Sequence, residues 1–307
     1  MSGVRERPYA IVDVFTQIPF QGNPLAVVLD GEGLTAGAMQ AIAAEFNLSE
    51  TVFVLAPEDP ANTASIRIFT PSVELPFAGH PTVGTAVFLA KRAMSAVEQP
   101  TDMAVALEEK VGLVRAGVVV QPGRLGHATF MLPELPEEVA STISRAHIGA
   151  ALGLDEDDIG FDDYKPAIYS AGVPFSLVPV GSLDALKRMK PNPAAWERAF
   201  EVAGRDNAFV YARGGVSEGA VFHARMFWPK AGISEDPATG SAIAAFAGAI
   251  MDFEKLADGC HSFLIEQGYE MGRASNIMLE IDVEGGELFA ARIGGSAVIV
   301  AEGTLYA

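Results

Sequence analysis

His80-Pro-Thr-Val-Gly-Thr-Ala86 and Asp236-Pro-Ala-Thr-Gly-Ser-Ala242 are two versions of one heptapeptide in a chain of 307 residues. Proline, glycine and alanine stand at the same places in both, and Thr85 answers Ser241. Each copy follows a strand-like run that ends on an aromatic residue near a proline, Phe69-Thr-Pro71 in one half and Phe227-Trp-Pro229 in the other. The copies lie one domain length apart, far beyond a solenoid period of about 20–50 residues. This spacing predicts two copies of one folding unit, facing each other across a cleft.

Working outward from the first copy, Tyr9–Phe15 and Asn23–Leu29 read as neighbouring strands joined through a Gly22-Asn23 turn. Thr35 caps a predicted helix that places Met39, Ile42 and Phe46 on one face and ends near Asn47. Thr51–Leu55 and Ser65–Phe69 are strand-like. A second helix begins at His80-Pro81 with Val83, Val87, Ala90 and Met94 along one stripe. Val105, Leu113–Val120 and Thr129–Leu132 supply further strand material. Beyond Pro133–Pro136 the alternation repeats, with strands near Ala167–Tyr169, Ser176–Val180, Ala208–Tyr211 and Val221–Phe227. A helix then runs from Pro237 with Ile243, Phe246 and Ile250 inward, followed by strands near Ile277–Ile281, Glu287–Ala291 and Ala297–Val300. The expected fold class is α/β (α+β) in two domains, 1–128 and 129–307, with the break near residues 122–136 and the last strand free to return to the first half.

Composition narrows the function. Half the residues are hydrophobic and a fifth are charged, which fits a folded domain rather than a disordered chain. Acidic residues outnumber basic ones 39 to 21, for a formal charge of −18. A nucleic-acid binder needs a basic face and an anionic membrane would repel this surface, so neither is expected as a partner. The single cysteine, Cys260, cannot form an internal disulfide, and no Cys/His spacing suits zinc. The start, Met1 to Arg7, lacks an apolar signal stretch, and a cytoplasmic location is the default expectation.

Several residues can carry chemistry. Proline suits the first position of a helix, so His80 and Asp236 would sit just ahead of two helices whose first N–H groups lack acceptors. Such helix starts hold carboxylates or phosphates without a lysine. Gly84 and Gly240, one turn in, would permit close approach by a ligand or by the opposing helix. Taken singly, Asp236 is an ordinary cap, and His80 is either a packing or cap histidine or a functional one. Glu50, in Asn47-Leu-Ser-Glu-Thr51, lies between Leu48 and an apolar strand, surroundings that favour general acid–base work, though the tract by itself reads sooner as an exposed loop glutamate. Arg273, in the turn-rich Gln267–Arg273, could hold a carboxylate or simply sit at the surface. His127, His147, His223 and His261 are scattered and read as surface or packing residues. Gly214-Gly215 and Gly294-Gly295 lack nucleotide-binding fingerprints, so no nucleotide cofactor is implied.

Together, Asp13-Val-Phe-Thr16 with Pro19-Phe-Gln-Gly-Asn-Pro24, Asn47–Thr51, Phe69–Pro71 with Glu74–Thr82, Glu235–Ala242, and Gln267-Gly with Met271-Gly-Arg273 resemble the phenazine-biosynthesis PhzF-like isomerases. The resemblance spans essentially the whole chain. It implies a diaminopimelate-epimerase-like fold, two pseudo-symmetric halves, each a curled, mostly antiparallel sheet around a central helix, with the active site between them. It implies that Glu50 transfers a proton, that His80 and Asp236 support it, and that Gly79, Gly240, Ser241 and Arg273 line or hold a small carboxylate-bearing substrate. That substrate could be cyclic and dihydro-hydroxyanthranilate-like. It also implies a homodimer and catalysis with no cofactor or metal. With Cys260 outside every motif, the two-thiol racemase mechanism of related epimerases is excluded. Two alternatives stand beside the isomerase: a lyase or dehydratase using the same site, and a non-catalytic binding or scaffold protein of this fold.

Overall fold

The computed structural model describes residues 4–94, 96–140, 144–201 and 206–307, so the first three residues of the polar Met1–Arg7 start lie outside the described residues. The chain divides into two compact units, 4–133 with 294–307, and 134–293 within those limits. The division falls after Pro133 rather than after residue 128, because the strand Leu125–Met131 continues in register with its neighbour as far as Phe130, opposite Ala116.

Unit 1 contains β1 (Glu6–Val14), β2 (Asn23–Val28), α1 (Ala36–Phe46), β3 (Glu50–Leu55), β4 (Ala64–Phe69), β5 (Glu74–Leu75), α2 (Gly79–Ala93), β6 (Thr101–Glu109), β7 (Gly112–Val120) and β8 (Leu125–Met131). Unit 2 contains β9 (Glu137–Glu138), α3 (Arg145–Leu152), β10 (Ala167–Ser170), β11 (Pro174–Pro179), α4 (Leu183–Arg188), α5 (Pro193–Phe200), β12 (Ala208–Arg213), β13 (Ala220–Trp228), β14 (Ile233–Asp236), α6 (Gly240–Glu254), β15 (Gly259–Gln267) and β16 (Ser275–Glu284). The last strand, β17 (Glu287–Tyr306), begins in unit 2 and ends in unit 1, where it pairs antiparallel with β1. It is one strand where the sequence suggested two, since the glycines at its middle do not interrupt the extended backbone.

The two units repeat one pairing order. In unit 1, β1–β2 is antiparallel, β2–β3 parallel, β3–β4 and β4–β5 antiparallel, β4–β6 parallel and β6–β7 antiparallel. In unit 2 the same succession runs β10–β11, β11–β12, β12–β13, β13–β14, β13–β15 and β15–β16. Each parallel step needs a crossover: α1 and then α2 supply the two in unit 1, and α4 with α5 and then α6 the two in unit 2.

Each unit's sheet encloses one helix. The helix α2 packs against β1, β2, β3, β6, β7 and β8, and every residue from Gly79 to Phe88 is buried. The stripe Val83, Val87, Ala90 and Met94 therefore understates it, since an enclosed helix buries its whole circumference, and Met94 itself is the half-buried cap that follows Ala93. The helix α6 packs on β9, β10, β11 and β16 with Ala242 through Ile250 buried. Gly84 owes its missing side chain to this packing, because a Cβ there would fall 2.7 Å from Leu25 Cδ2 and Val14 Cγ2. It faces neither a ligand nor an opposing helix, contrary to the sequence expectation. Peripheral helices cover the outer faces: α1 sets Met39 and Ala43 on Val28, Phe53 and Phe69, while α3, α4 and α5 pack Ile148, Leu186, Trp196 and Phe200 on Val178 and Val210. No described helix is long and apolar enough to cross a membrane.

Candidate active site

The helix starts differ from the sequence expectation in one respect. Neither proline occupies the first helical position. In α2 the cap is Ala78, so Gly79, His80 and Pro81 are the first three helical residues. In α6 the cap is Thr239, which leaves Pro237 and Ala238 in a link between β14 and the helix. The short strands β5 and β14 dictate the entry of each chain, and the entry fixes where the helix can begin.

The four peripheral α-helices are capped by side chains: Thr35 on α1, Ser144 on α3, Ser182 on α4 and Asn192 on α5. The two enclosed helices, α2 and α6, have no side-chain cap. Their first N–H groups, those of Gly79 and His80 in one unit and Gly240 and Ser241 in the other, have no intrahelical acceptor and lie at the positive end of the dipole. The uncapped helices are those carrying the repeated motif.

Unit 1 brings Glu50 and His80 together. Glu50 opens β3 beside Leu25 of β2, and α2 presents His80 from its first turn. His80 Nε2 stands 3.1 Å from Glu50 Oε2, with side chains only 5% and 14% exposed. Burial holds the imidazole down to about 3, so at neutral pH it is uncharged. At that distance a proton can pass between the two groups. Gly79 precedes His80 and is buried.

Behind His80, Thr82 is buried and its hydroxyl lies 2.8 Å from both Ala78 O and Glu109 Oε1. One hydroxyl has one proton and cannot donate to both acceptors. A protonated Glu109 resolves the conflict by donating to Thr82. Burial also pushes the Glu109 carboxyl up, to about 8.

Unit 2 gathers Asp236, Gly240, Ser241 and Arg273 around the start of α6. Asp236 ends β14, is buried, and accepts a short hydrogen bond from the Thr239 hydroxyl. Gly240 is buried and Ser241 half-buried at the first two helical positions. Gln267, the last residue of β15, uses its whole amide here: Nε2 donates to Asp236 O at 2.7 Å and to Thr239 Oγ1 at 3.0 Å, and Oε1 accepts from Thr239 N at 3.1 Å. Arg273 closes the following turn, its N–H donating to Gly268 O at 3.0 Å. Gly268 has φ +78, and a Cβ there would stand 2.6 Å from Pro237 O and 2.5 Å from Arg273 O. Only glycine lets this turn lie against the link ahead of α6.

Reading the sequence missed Gln267, Glu109 and the setting of His223. Gln267 and Glu109 each end a nine-residue strand that runs parallel to the strand two elements before the enclosed helix, a correspondence visible once the repeat is extended past the heptapeptide. His223, taken for a surface or packing residue, is buried among carboxylates.

The comparisons with known proteins follow the same lines. The family described as phenazine biosynthesis-like protein matches residues 12–303. A protein of Mesorhizobium japonicum described as an uncharacterized isomerase is 50% identical over 99% of this chain and 100% of its own. The trans-2,3-dihydro-3-hydroxyanthranilate isomerase of Pseudomonas aeruginosa is 34% identical over 97% of this chain and 99% of its own. A crystal structure of a Bacillus anthracis phenazine biosynthesis protein of the PhzF family superposes with a TM-score of 0.85 at 29% identity, covering 98% of this chain and 99% of that one.

Proposed function

The chain belongs to the phenazine biosynthesis-like PhzF family and is an isomerase, and on that premise we propose that it works without a cofactor, with Glu50 as the acid–base that moves a proton on a small carboxylate-bearing substrate. The observation that carries this reading is the contact between Glu50 and a buried, uncharged His80. A carboxylate beside a neutral imidazole can take up a proton and give it back, with the ring steadying its charge while it is ionised. That is the requirement for removing a proton from one carbon and returning it to another.

The remaining groups have supporting parts. His80 orients Glu50 and steadies its charge. To Asp236, Gly240, Ser241 and Arg273 we assign the holding of the substrate, the uncapped N–H groups of α6 favouring its carboxylate and the negative charge that proton removal develops. The unit-2 position corresponding to Glu50 is Ala208, the first residue of β12, which faces Ser176 as Glu50 faces Leu25. One acid–base in the pair of units supports a transfer along one face of the substrate. The related isomerase's trans-2,3-dihydro-3-hydroxyanthranilate is the first substrate to try.

The test is proton exchange in D₂O with that compound and a panel of small cyclic amino and hydroxy acids, read by mass spectrometry. Wild-type protein should incorporate deuterium or yield a product of unchanged mass apart from exchange. Glu50→Gln should lose about 10²–10⁴-fold in rate. Full activity in Glu50→Gln would remove the residue from the mechanism.

A further inference from the structure

His223 is buried in β13, and both of its ring nitrogens face carboxylates. Nδ1 lies 2.7 Å from Glu266 Oε2, and Nε2 lies 3.2 Å from both oxygens of Glu270. Carboxylates only accept, so a ring held by two of them needs a proton on each nitrogen and is an imidazolium. Glu266 is fully buried in β15 and also accepts the N–H groups of Val216 and Ser217 at 2.7 and 2.6 Å. Glu270 belongs to the turn between β15 and β16, whose other end is Arg273. Tyr269 of that turn sets its ring edge-on to His223 at 5.1 Å and its hydroxyl 2.6 Å from Ser217 Oγ.

The repeat shows what is special here. In unit 1 the residue matching His223 is Ser65: Ser65 faces Glu108 across the parallel pair β4–β6 as His223 faces Glu266 across β13–β15. There β6 turns straight into β7, Glu109 pairing with Gly112. In unit 2 the pair nearest the turn is Gln267 with Ser275, which leaves a longer turn between the strands. The histidine occurs in the unit with the longer turn, and its second carboxylate is in that turn.

We propose that His223, as an imidazolium bridging Glu266 and Glu270, is a positioning residue that clamps the Gln267–Arg273 turn, holding Gln267 and Arg273 in place at the start of α6. Its kinetic consequence rests on the substrate-holding role assigned to Arg273 above; the clamp itself does not. The groups facing the ring are Glu266, Glu270, Tyr269 and, through its field on Glu270, Arg225, which is itself paired with Glu235 at 2.8 Å. The two carboxylates hold His223 up to about 9 in spite of its burial, and Glu266, in spite of its own burial, is held down to about 2 by His223 and by the hydrogen bonds of Ser217 and Val216. A histidine raised from 6.5 to about 9 contributes its full stabilisation below pH 6.5 and loses it as pH rises through 9.

Glu270→Gln tests the clamp with little risk to folding, since Glu270 is the outer, partly exposed partner. By NMR, the His223 ring in wild-type protein should titrate near 9, and in Glu270→Gln it should titrate lower. The amides of Met271, Gly272 and Arg273 should exchange faster in Glu270→Gln at pH 7, while amides of β6 and β7 are unchanged. In the substrate assay, KM should rise by about tenfold, the equivalent of about 1.4 kcal/mol, with kcat retained. A His223 ring that titrates near 6.5 in wild-type protein, or turn amides with unaltered exchange in the variant, would overturn the clamp. If the clamp passes both and KM does not move, the role given to Arg273 fails instead.

Discussion

The β6 end in unit 1 and the β15 end in unit 2 are built on one plan with different protonation. Arg67 of β4 forks onto Glu74 of β5 at 2.7 and 2.9 Å and lies over Phe69, and Arg225 of β13 forks onto Glu235 of β14 at 2.8 and 2.9 Å and lies over Phe227. Glu108 accepts the N–H groups of Glu58 and Asp59, and Glu266 those of Val216 and Ser217. Glu109 reaches Thr82 in the first turns of α2, and Gln267 reaches Thr239 at the cap of α6. Onto this shared frame unit 1 adds a neutral buried histidine and a protonated carboxyl, and unit 2 adds an imidazolium between two carboxylates. Both histidines are almost wholly buried, yet one is held down to about 3 and the other up to about 9. Burial alone sets the first, and partners on both nitrogens set the second. Hydrogen bonds from both nitrogens outweigh burial at His223, and a contact at one nitrogen does not at His80.

The comparison breaks most visibly at the paired carboxylates. Glu266→Leu would leave the His223 imidazolium with Glu270 alone and two backbone donors without acceptors, at a cost of about 3–5 kcal/mol. Glu108→Leu removes the corresponding carboxylate from a half-buried place where no histidine waits, and its loss should be much smaller. Urea unfolding of the two variants decides it: a large drop in midpoint for Glu266→Leu only, with the slope unchanged. Equal drops would mean that the shared loop-holding role dominates and that the histidine adds little.

A smaller effect sharpens the likeness of the enclosed helices. Alanine normally favours a helix over glycine by about 1 kcal/mol. Here Gly84→Ala would bring a methyl within 2.7 Å of Leu25 and Val14, and Gly248→Ala would bring one within 2.5 Å of Tyr169 Cδ1. Each should destabilise by about 1–3 kcal/mol as overpacking outweighs propensity. Tyr169 is further tied by its hydroxyl to Asp252, so Gly248→Ala should be the costlier of the two. Thermal unfolding of both variants checks the sign, and stabilisation by either would show that its helix has room.

The heptapeptide repeat made the two-unit plan legible because proline, glycine and a small alanine mark where an enclosed helix enters a tight sheet. Alternating apolar residues disclosed most strands of unit 1. The strand β15 was not disclosed, since its polar first half, Gly259–Ser262, hides the buried Phe263 and Ile265–Gln267. The helices α3, α4 and α5 were missed for a related reason: each is six to eight residues long, too short for a 3.6-residue period to stand out. Glu50 and His80 were legible as candidates, and their contact was not, because no local pattern joins β3 to α2. His223 looked isolated because its partners lie 43 and 47 positions on.

The smallest effect tests the likeness between Glu109 and Gln267. If Glu109 is a protonated carboxyl donating to Thr82, glutamine is nearly its equal in shape and donates to the same hydroxyl, as Gln267 does to Thr239. The sign of the pH dependence follows from a carboxyl raised from 4.5 to about 8. Its contribution is complete below pH 4.5, and wild-type stability falls as pH climbs through 8, where a buried charge must form. Glu109→Gln has no such charge to form. The variant should lie within about 1 kcal/mol of wild type at pH 5 and should exceed it at pH 8.5. His223 loses its own contribution over part of that interval, but equally in both proteins, so it cancels in the difference. Thermal unfolding of the pair at pH 5, 6.5 and 8.5 reads the crossing directly. Parallel curves would mean that Glu109 is ionised throughout, and that the two strand ends hold their helices by different chemistry.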